Sequence, residues 1–350
     1  MSIVAVMHAV LLSYLCVADP APPAEPQLKR TIVLAGVEGR IDHMACDPDS
    51  QRLFIAALGN GSLEIVDLRK GERIRSIAGL KEPQGVVFVP ATGQVVVACG
   101  GDGTLRAYDA ATLDAKATSD AGEDADNARL SPDGTRVLVG HGSGAIGIFD
   151  AVTLKKDADI KLPGHPESFQ IEPGGSRAFA NVPGGLLRGG GEVAVIDLKQ
   201  RKVAAQWTLK DAGRNFPMAL DAAGKRLYVG CRRPSRLLVL DTETGRTVAG
   251  LECVGDADDI FVDAESGLIY VVGGDGALDV FRTTDRESYV RSASVPTAPG
   301  ARTALLVPEL RSIFVAVPRR SGQEARILEF ALPGPAPASP SGAEPVEKRP

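Results

Sequence analysis

Short apolar segments separated by turn residues make up most of the chain, and one such segment recurs throughout it. Each copy has five residues in which aliphatic and aromatic side chains predominate, which is typical of a buried β-strand. A turn, often of the Pro-Asp-Gly type, precedes the copies, and a second turn, usually rich in Gly, follows them. The seven copies span residues 52–56, 94–98, 136–140, 177–181, 226–230, 268–272 and 312–316.

A further strand follows each copy, and in five repeats it ends on an aspartate. These residues are Asp67, Asp109, Asp150, Asp197 and Asp241, at intervals of 42, 41, 47 and 44 residues, with Arg282 and Ala331 at the equivalent place in repeats six and seven. A period of about 40–45 residues with three or four strands per repeat is typical of β-propellers. Since so small a unit cannot bury its own faces, the repeats must stack. The pattern predicts an all-β, seven-bladed β-propeller.

The two ends of the repeat region predict how the ring closes. Repeat seven ends near Leu332 after three strands, whereas residues 30–35 before repeat one have the character of a fourth strand. Pairing that N-terminal strand with the last blade would remove an exposed sheet edge, which is otherwise an aggregation hazard. We therefore expect one propeller domain over residues 28–332, and a division into two domains is rejected because it would leave the N-terminal strand unpaired.

The chain termini lie outside this repeat. Ile3 to Ala18 is an apolar run, too short to span a bilayer comfortably, and Asp19 begins a Pro-rich linker. We predict a signal peptide over residues 1–18, a linker over 19–27 and a disordered Pro-rich tail over 333–350. A misassigned start codon or a membrane-tethering segment are the alternatives for the leader. Export would place the protein in the periplasm or outside the cell.

Composition narrows the classes of partner. Hydrophobic residues make up 44% and charged residues 24% of the chain, as in an ordinary globular protein. The net charge of −5 provides no basic surface for nucleic acid, so none is expected as a partner. We expect no membrane contact beyond the leader, and a monomer. The cysteines that follow the leader lack metal-site spacing and are interpreted as small buried side chains: Cys46, Cys99, Cys231 and Cys253.

The repeats resemble YVTN-type β-propeller proteins, a largely exported bacterial and archaeal group related in architecture to WD-repeat proteins. Residues 227–230 (Leu-Tyr-Val-Gly) and 237–242 (Leu-Leu-Val-Leu-Asp-Thr) carry the likeness. The Trp-Asp dipeptide of WD repeats is absent, and Trp207 is the only tryptophan. The resemblance implies the propeller fold over most of the chain and leaves the function open, because one fold hosts many functions.

Candidate site residues converge where the innermost strand of each blade enters the central channel. Aligned on the turn after that strand, one position of the seven repeats holds Asp42, Gln84, Asp126, Glu167, Phe216, Asp258 and Arg302. The next position holds His43, Gly85, Asn127, Ser168, Pro217, Asp259 and Thr303. Crowded carboxylates favour a cation, and Ca²⁺ takes about six to eight oxygen ligands. Either this ring binds a cation or small ligand, or it is a water-filled channel in which Arg302 pairs with a carboxylate.

The turns after the second strands face the same side of the predicted ring. Repeats four, five and seven place there a set of arginines that suits carboxylate or phosphate ligands: Arg188, Arg232, Arg233, Arg236, Arg319 and Arg320. Asp102 and Asp275 lie in Gly-Gly-Asp-Gly turns of repeats two and six, which are read as hairpin turns. The alternative for each of these arginines and aspartates is a solvated surface side chain that binds no ligand. The long turn from Val182 to Glu192 is either a flap over the channel or a surface loop.

Three functions compete on this evidence. The first is an exported propeller that binds a small molecule or protein at the channel face without catalysis. The second is a metal-dependent hydrolase, because the channel ring resembles that of gluconolactonase-type propellers, which hold a divalent ion on the axis. The resemblance implies Asp42, Asn127, Glu167 and Asp258 as ligands and His43 as the base. Those enzymes differ from this chain in having six blades. The third is a redox accessory subunit, which no haem motif supports.

Overall fold

The computed structural model describes residues 25–142, 144–184, 190–210, 212–285, 287–320 and 322–334. These residues form seven antiparallel four-stranded sheets arranged as a seven-bladed β-propeller, as predicted. They form no α-helix, only two short 3-10 turns at Leu58–Asn60 and Pro308–Leu310. Accordingly, none of the residues from 25 to 334 that are described lies in a helix long and apolar enough to cross a membrane. The predicted signal peptide and most of the predicted tail fall outside the described residues.

The strands follow one another in chain order around the ring. The N-terminal strand is β1 (Gln27–Leu34). Blade one contains β2 (Met44–Asp47), β3 (Arg52–Ala57), β4 (Ser62–Asp67) and β5 (Glu72–Ala78). Blade two contains β6 (Pro83–Val89), β7 (Gln94–Cys99), β8 (Thr104–Asp109) and β9 (Ala115–Asp120). Blade three contains β10 (Ala128–Leu130), β11 (Arg136–His141), β12 (Ala145–Asp150) and β13 (Lys156–Lys161).

The remaining blades repeat the same order. Blade four contains β14 (Ser168–Ile171), β15 (Arg177–Val182), β16 (Glu192–Asp197) and β17 (Lys202–Thr208). Blade five contains β18 (Gly213–Asp221), β19 (Arg226–Arg233), β20 (Ser235–Asp241) and β21 (Thr247–Glu252). Blade six contains β22 (Ala257–Asp263), β23 (Leu268–Gly273), β24 (Ala277–Asp285) and β25 (Ser288–Pro296). Blade seven contains β26 (Ala304–Val307), β27 (Ser312–Val317) and β28 (Ala325–Ala331).

The N-terminal strand completes the last blade. Sheet order in blade seven is β1-β28-β27-β26, and β1 runs antiparallel to β28 with Ile32 opposite Ile327. This confirms the predicted closure, with the strand beginning three residues earlier than the apolar pattern indicated. Ile32 and Leu34 are fully buried between blades seven and one, because alternate residues of the strand face the core.

A bulge marks the outer edge of every blade at the same point. The register between the third and fourth strands shifts at Ile65/Val66 in blade one and at the matching pair in the other blades. Strand β1 makes the same shift opposite Glu329/Phe330. Bulges increase local twist, so β1 follows the curvature of a genuine fourth strand.

Hydrophobic clusters lie between neighbouring blades. Among the described residues there is one cluster at each of the seven interfaces, and Phe54, Phe149, Phe169, Phe179, Phe281 and Phe314 are fully buried in them. The four cysteines of the propeller are free thiols, three buried and Cys46 half-buried. Burial raises the pKa of Cys231 to about 12, as expected for structural thiols. The interfaces leave a channel along the axis, lined by the innermost strands.

Candidate functional site

The predicted ring residues lie at one end of this channel, which we call the mouth. Each stands at or just before the start of an innermost strand, so the fold brings them together from all seven blades. All are buried or half-buried: Asp42, His43, Gln84, Asp126, Asn127, Glu167, Asp258, Asp259 and Arg302. At their centre lies a cavity of about 20 Å³, lined by Arg40, Asp42, His43, Asp126, Asn127, Glu167, Phe216 and Asp258. That space suits one ion or water molecule.

Two arginines hold the Asp258 side of the mouth. Arg302 Nε lies 2.9 Å from Asp258 Oδ2, and Arg232 Nη2 contacts Asp258 Oδ1. Both guanidiniums also reach Asp256, Arg302 at 3.1 Å and Arg232 at 3.3 Å. Arg232 further covers the ring of Phe216, 3.9 Å from its centroid. Burial raises the pKa of Asp258 although both arginines oppose the rise. This pairing competes with the predicted role of Asp258 as a metal ligand.

Asp42 has one arginine partner of its own. Arg40 Nη2 lies 2.6 Å from Asp42 Oδ2, and the side chain of Asp42 is almost wholly buried. Burial raises the pKa of Asp42, whereas the charges of Arg40 and Arg302 lower it. The second oxygen, Oδ1, is 3.9 Å from His43 Nε2. Asp42 therefore keeps one carboxylate oxygen directed towards the centre of the mouth.

His43 and Asn127 form the floor of the mouth. Asn127 Nδ2 is 2.9 Å from His43 Nε2 and donates to the backbone oxygen of Glu167 at 2.8 Å. Burial, followed by the nearby charge of Arg129, lowers the pKa of His43 to about 4, so the ring is neutral at physiological pH. A neutral ring with its proton on Nδ1 accepts from the amide. Because a base of this pKa takes up protons weakly near pH 7, the lowered pKa gives little support to His43 as a general base, a role that stays a prediction.

Three further groups converge beside this floor without bonding to one another. One ligand atom each from Asp126, His165 and Glu167 lies within 4.8 Å of the others. Asp126 Oδ1 and His165 Nδ1 are buried and have no hydrogen-bond partner among the described residues, and the same holds for Asn127 Oδ1. Unsatisfied buried acceptors are costly and rare. A cation bound between them would satisfy all three groups of the cluster.

The pKa values of this cluster reflect its burial. Burial, together with the charges of Asp42 and Glu167, raises the pKa of Asp126 well above its ordinary value. Burial and the charge of Asp258 raise the pKa of Glu167 to about 7. Burial lowers the pKa of His165, so its ring is a neutral potential ligand. A divalent cation bound here would favour the ionised form of both carboxyls and would accept the neutral imidazole as a ligand.

The remaining candidates lie around this centre. Asp259 Oδ2 accepts the backbone amide of Ala304 at 2.8 Å, and Gln84 Nε2 donates to Asp124 at 3.3 Å. Arg319 pairs with Glu38 on the surface, and Arg233 is exposed. The arginines thus do not form one patch: Arg232 faces the channel, whereas Arg233 and Arg319 face solvent. Arg188 and most of the turn from 182 to 192 fall outside the described residues.

Sequence reasoning gave His165 and Arg40 no specific role. Both precede an aligned acidic position by two residues, Glu167 and Asp42 respectively. Extending the alignment two residues towards the N-terminus in every repeat would have found them. Their contribution to the mouth nevertheless depends on loop geometry that repeats with different loops do not share.

Solved structures share this fold. The chain is similar to Kuenenia stuttgartiensis hydrazine synthase, with 17% sequence identity and a TM-score of 0.71 over 80% of this chain and 94% of the other. It is similar to a chain in the crystal structure of a mitotic checkpoint complex, with 12% identity and a TM-score of 0.72 over 95% of this chain and 99% of the other. At these identities the likeness shows the propeller fold alone. No protein-family model and no curated protein matches the chain.

Proposed function

We propose that this protein is an exported binding propeller of the YVTN-repeat type, whose mouth holds a divalent cation and through it a small polar ligand. The observation that carries the proposal is the cluster of Asp126, His165 and Glu167, with ligand atoms within 4.8 Å of one another and two of those side chains unsatisfied. The adjoining cavity of about 20 Å³ is large enough for an ion and too small for an organic molecule. The ligand would therefore approach from solvent and complete the coordination.

The donor set indicates the kind of cation. One imidazole nitrogen with two carboxylates suits Zn²⁺ or Mn²⁺, whereas Ca²⁺ prefers oxygen ligands alone. Of the four ligands predicted from sequence, Glu167 belongs to this cluster and Asn127 Oδ1 is unsatisfied beside it. Asp42 has a free oxygen nearby, and Asp258 is held by arginines. We infer Asp126, His165 and Glu167 as ligands, with Asn127 and Asp42 adjoining.

Metal titration of the full chain tests this proposal. We expect calorimetry to show one site for Zn²⁺ or Mn²⁺ and weaker binding of Ca²⁺. Glu167→Gln removes an anionic ligand and should weaken binding about tenfold or more. Asp102→Asn is the matched control, because Asp102 lies on the same face but pairs with Arg106 at 2.7 Å. Absence of stoichiometric binding, or equal affinity in Glu167→Gln, would overturn the proposal.

A lactonase-like hydrolase is the second candidate. Its specific support is Glu167, which would then transfer a proton instead of serving as a ligand, because a carboxyl with a pKa of about 7 is poised for that role. Lactone hydrolysis that is abolished both by chelator and by Glu167→Gln would establish this function in place of simple binding. Metal binding without hydrolysis of a lactone panel would favour the binding protein.

Cell fractionation tests the proposed export independently of the ligand. We expect the protein in the periplasm or in the medium.

A further inference from the structure

The channel continues below the mouth into a second, larger cavity. Its volume is about 520 Å³, and it lies between the innermost strands β2, β6, β10, β22 and β26. His43 lines both cavities, so its layer separates them. At the far end the lining includes the exposed residues Pro90 and Glu309, which places the opening on the face opposite the mouth. A cavity of this size is within the range of small-molecule sites.

Most of the wall of this cavity is apolar. Ala45, Val87, Phe261 and Leu305 occupy the same aligned position of four inner strands, two residues beyond the His43 layer, and Met218 adds to them from blade five. Side chains two apart on a strand face the same side, which explains why one position supplies the channel lining. An apolar molecule in this space would exchange water contact for contact with these side chains.

Arg129 occupies the same aligned position in blade three, where it places a charged side chain in the otherwise apolar wall. Its Nη1 donates to the backbone oxygen of Ala128 at 3.0 Å, and its guanidinium stands 6.0 Å from the ring centroid of Phe169. No carboxylate of the described residues forms an ion pair with it within 4.0 Å, although arginine is charged at neutral pH. Next to it, Gln170 Nε2 is already bonded to the backbone oxygen of Met218.

The acidic groups around this cavity act on Arg129 only from beyond ion-pair distance. Asp259 also lines the cavity and its charge acts on Arg129, but only from beyond ion-pair distance. One of its oxygens accepts the amide of Ala304, and burial raises the pKa of this carboxyl well above the ordinary value. Glu309 is exposed at the opposite end of the cavity. The cavity therefore combines apolar walls with one guanidinium, at its inner part, that has no carboxylate within ion-pair distance among the described residues.

We propose that this cavity binds a monocarboxylate with an apolar body, its carboxylate on the Arg129 guanidinium and its chain along Val87, Phe261 and Leu305. A guanidinium and a carboxylate form a planar pair joined by two parallel hydrogen bonds, and these bonds are stronger where water is excluded. A second charge on the ligand would find no partner here. The apolar chain would point to the open end, past Leu305 towards Glu309.

Calorimetric titration of the full chain with octanoate and with 1-octanol tests the proposal. The two probes share the chain and differ in charge. We expect octanoate to bind one site and 1-octanol to bind at least about tenfold more weakly, as a lost charged hydrogen bond implies. Arg129→Gln should weaken octanoate about tenfold to a hundredfold and leave 1-octanol unchanged. Arg75→Gln, the same change at an exposed position on the outer strand β5, is the matched control.

Several results would overturn the proposal. These are no octanoate binding at millimolar concentration, equal affinity for 1-octanol, or unchanged octanoate affinity in Arg129→Gln. Should Arg129→Gln fail to fold in a thermal melt, the comparison of octanoate with 1-octanol on the native protein decides. The titration is repeated in EDTA, because octanoate binding that persists without divalent metal separates this site from the one proposed at the mouth.

Discussion

The carboxyl groups of the channel mouth differ in what surrounds each of them. Asp258 contacts two arginines and Asp42 contacts one, whereas Asp126 and Glu167 have neither an arginine nor a lysine within ion-pair distance among the described residues. Burial raises the pKa of each of them. The arginines therefore set a division within one ring: a structural side around Asp258 and a side free to bind around Glu167.

Glu167 makes the stability of the metal-free protein depend on pH. Its pKa is 4.5 in the ordinary case and about 7 in the fold. Between these pH values the folded chain holds a proton on Glu167 that the unfolded chain lacks. The contribution of this carboxyl to the free energy of unfolding is therefore complete below pH 4.5 and is lost as the pH rises through 7. Glu167→Gln removes this loss. We expect the variant to gain about 2 kcal/mol relative to the native protein between pH 5 and 7.5, after allowance for partial exposure.

Urea unfolding at pH 5, 6, 7 and 8 in EDTA measures this difference. Glu123→Gln, an exposed position on the same face, is the matched control for the substitution itself. A constant difference between Glu167→Gln and the native protein across this range would contradict the assignment.

At the scale of strands, β1 reproduces the features of the other fourth strands. It has the same bulge, and its Lys29 and Arg30 side chains reach the buried carboxylate of Glu329 on β28. The fourth strands of blades one and six also supply arginines to buried third-strand carboxylates, with Arg73 on Glu64 and Arg291 on Asp279. A segment from the other end of the chain is thus attached by the same kind of ion pair as a strand from within the blade.

Substitution of Glu329 tests how firmly β1 is held. The residue is 2% exposed and also accepts from Ser312 Oγ at 3.1 Å. Glu329→Gln leaves two cations without their anion, so we expect a loss of about 2 kcal/mol. Amide hydrogen exchange in β1 should accelerate more than exchange in β27. Glu72→Gln on β5, which breaks an exposed ion pair with Lys70, should cost less than about 1 kcal/mol. Unchanged exchange in β1 would show that the backbone ladder alone holds the strand.

At the scale of the whole molecule, the ring is a closed series of blade interfaces. Each interface has one hydrophobic cluster, and the cluster between blades seven and one includes Ile32 and Leu34 of β1. Without β1, strand β28 would expose an unpaired edge and that interface would lose two fully buried side chains. Closure therefore depends on the eight residues of β1.

Removal of residues 1–34 should open the ring. Loss of Ile32 and Leu34 alone costs about 4 kcal/mol of burial. A loss of this free energy should lower the melting temperature by about 10 °C or more. We also expect the truncated protein to aggregate in size-exclusion chromatography. A variant that lacks only residues 1–24 keeps β1 and serves as the control. A truncated ring that melts within a few degrees of the control and stays monomeric would contradict this account of closure.

The sequence by itself determined the number of blades, their order and the closing strand. Strand period and turn composition are local properties, and a repeat near 42 residues leaves little choice of architecture. Alignment of the repeats also brought Asp126, Glu167 and Asp258 to one end of one channel, because equivalent positions in a ring share a face. The bounds differed by only a few residues, as with β1.

Only the tertiary structure decided which of those carboxyls is paired. Arg232, Asp258 and Arg302 belong to blades five, six and seven, so their contacts depend on the curvature of the ring and on loop lengths. For the same reason, the sequence did not reveal that His165 joins Asp126 and Glu167, or that Arg129 faces a cavity with no carboxylate of the described residues within ion-pair distance. Local pattern places a residue on a face, whereas its partners come from blades tens of residues away, and those partners determine its charge and its chemistry.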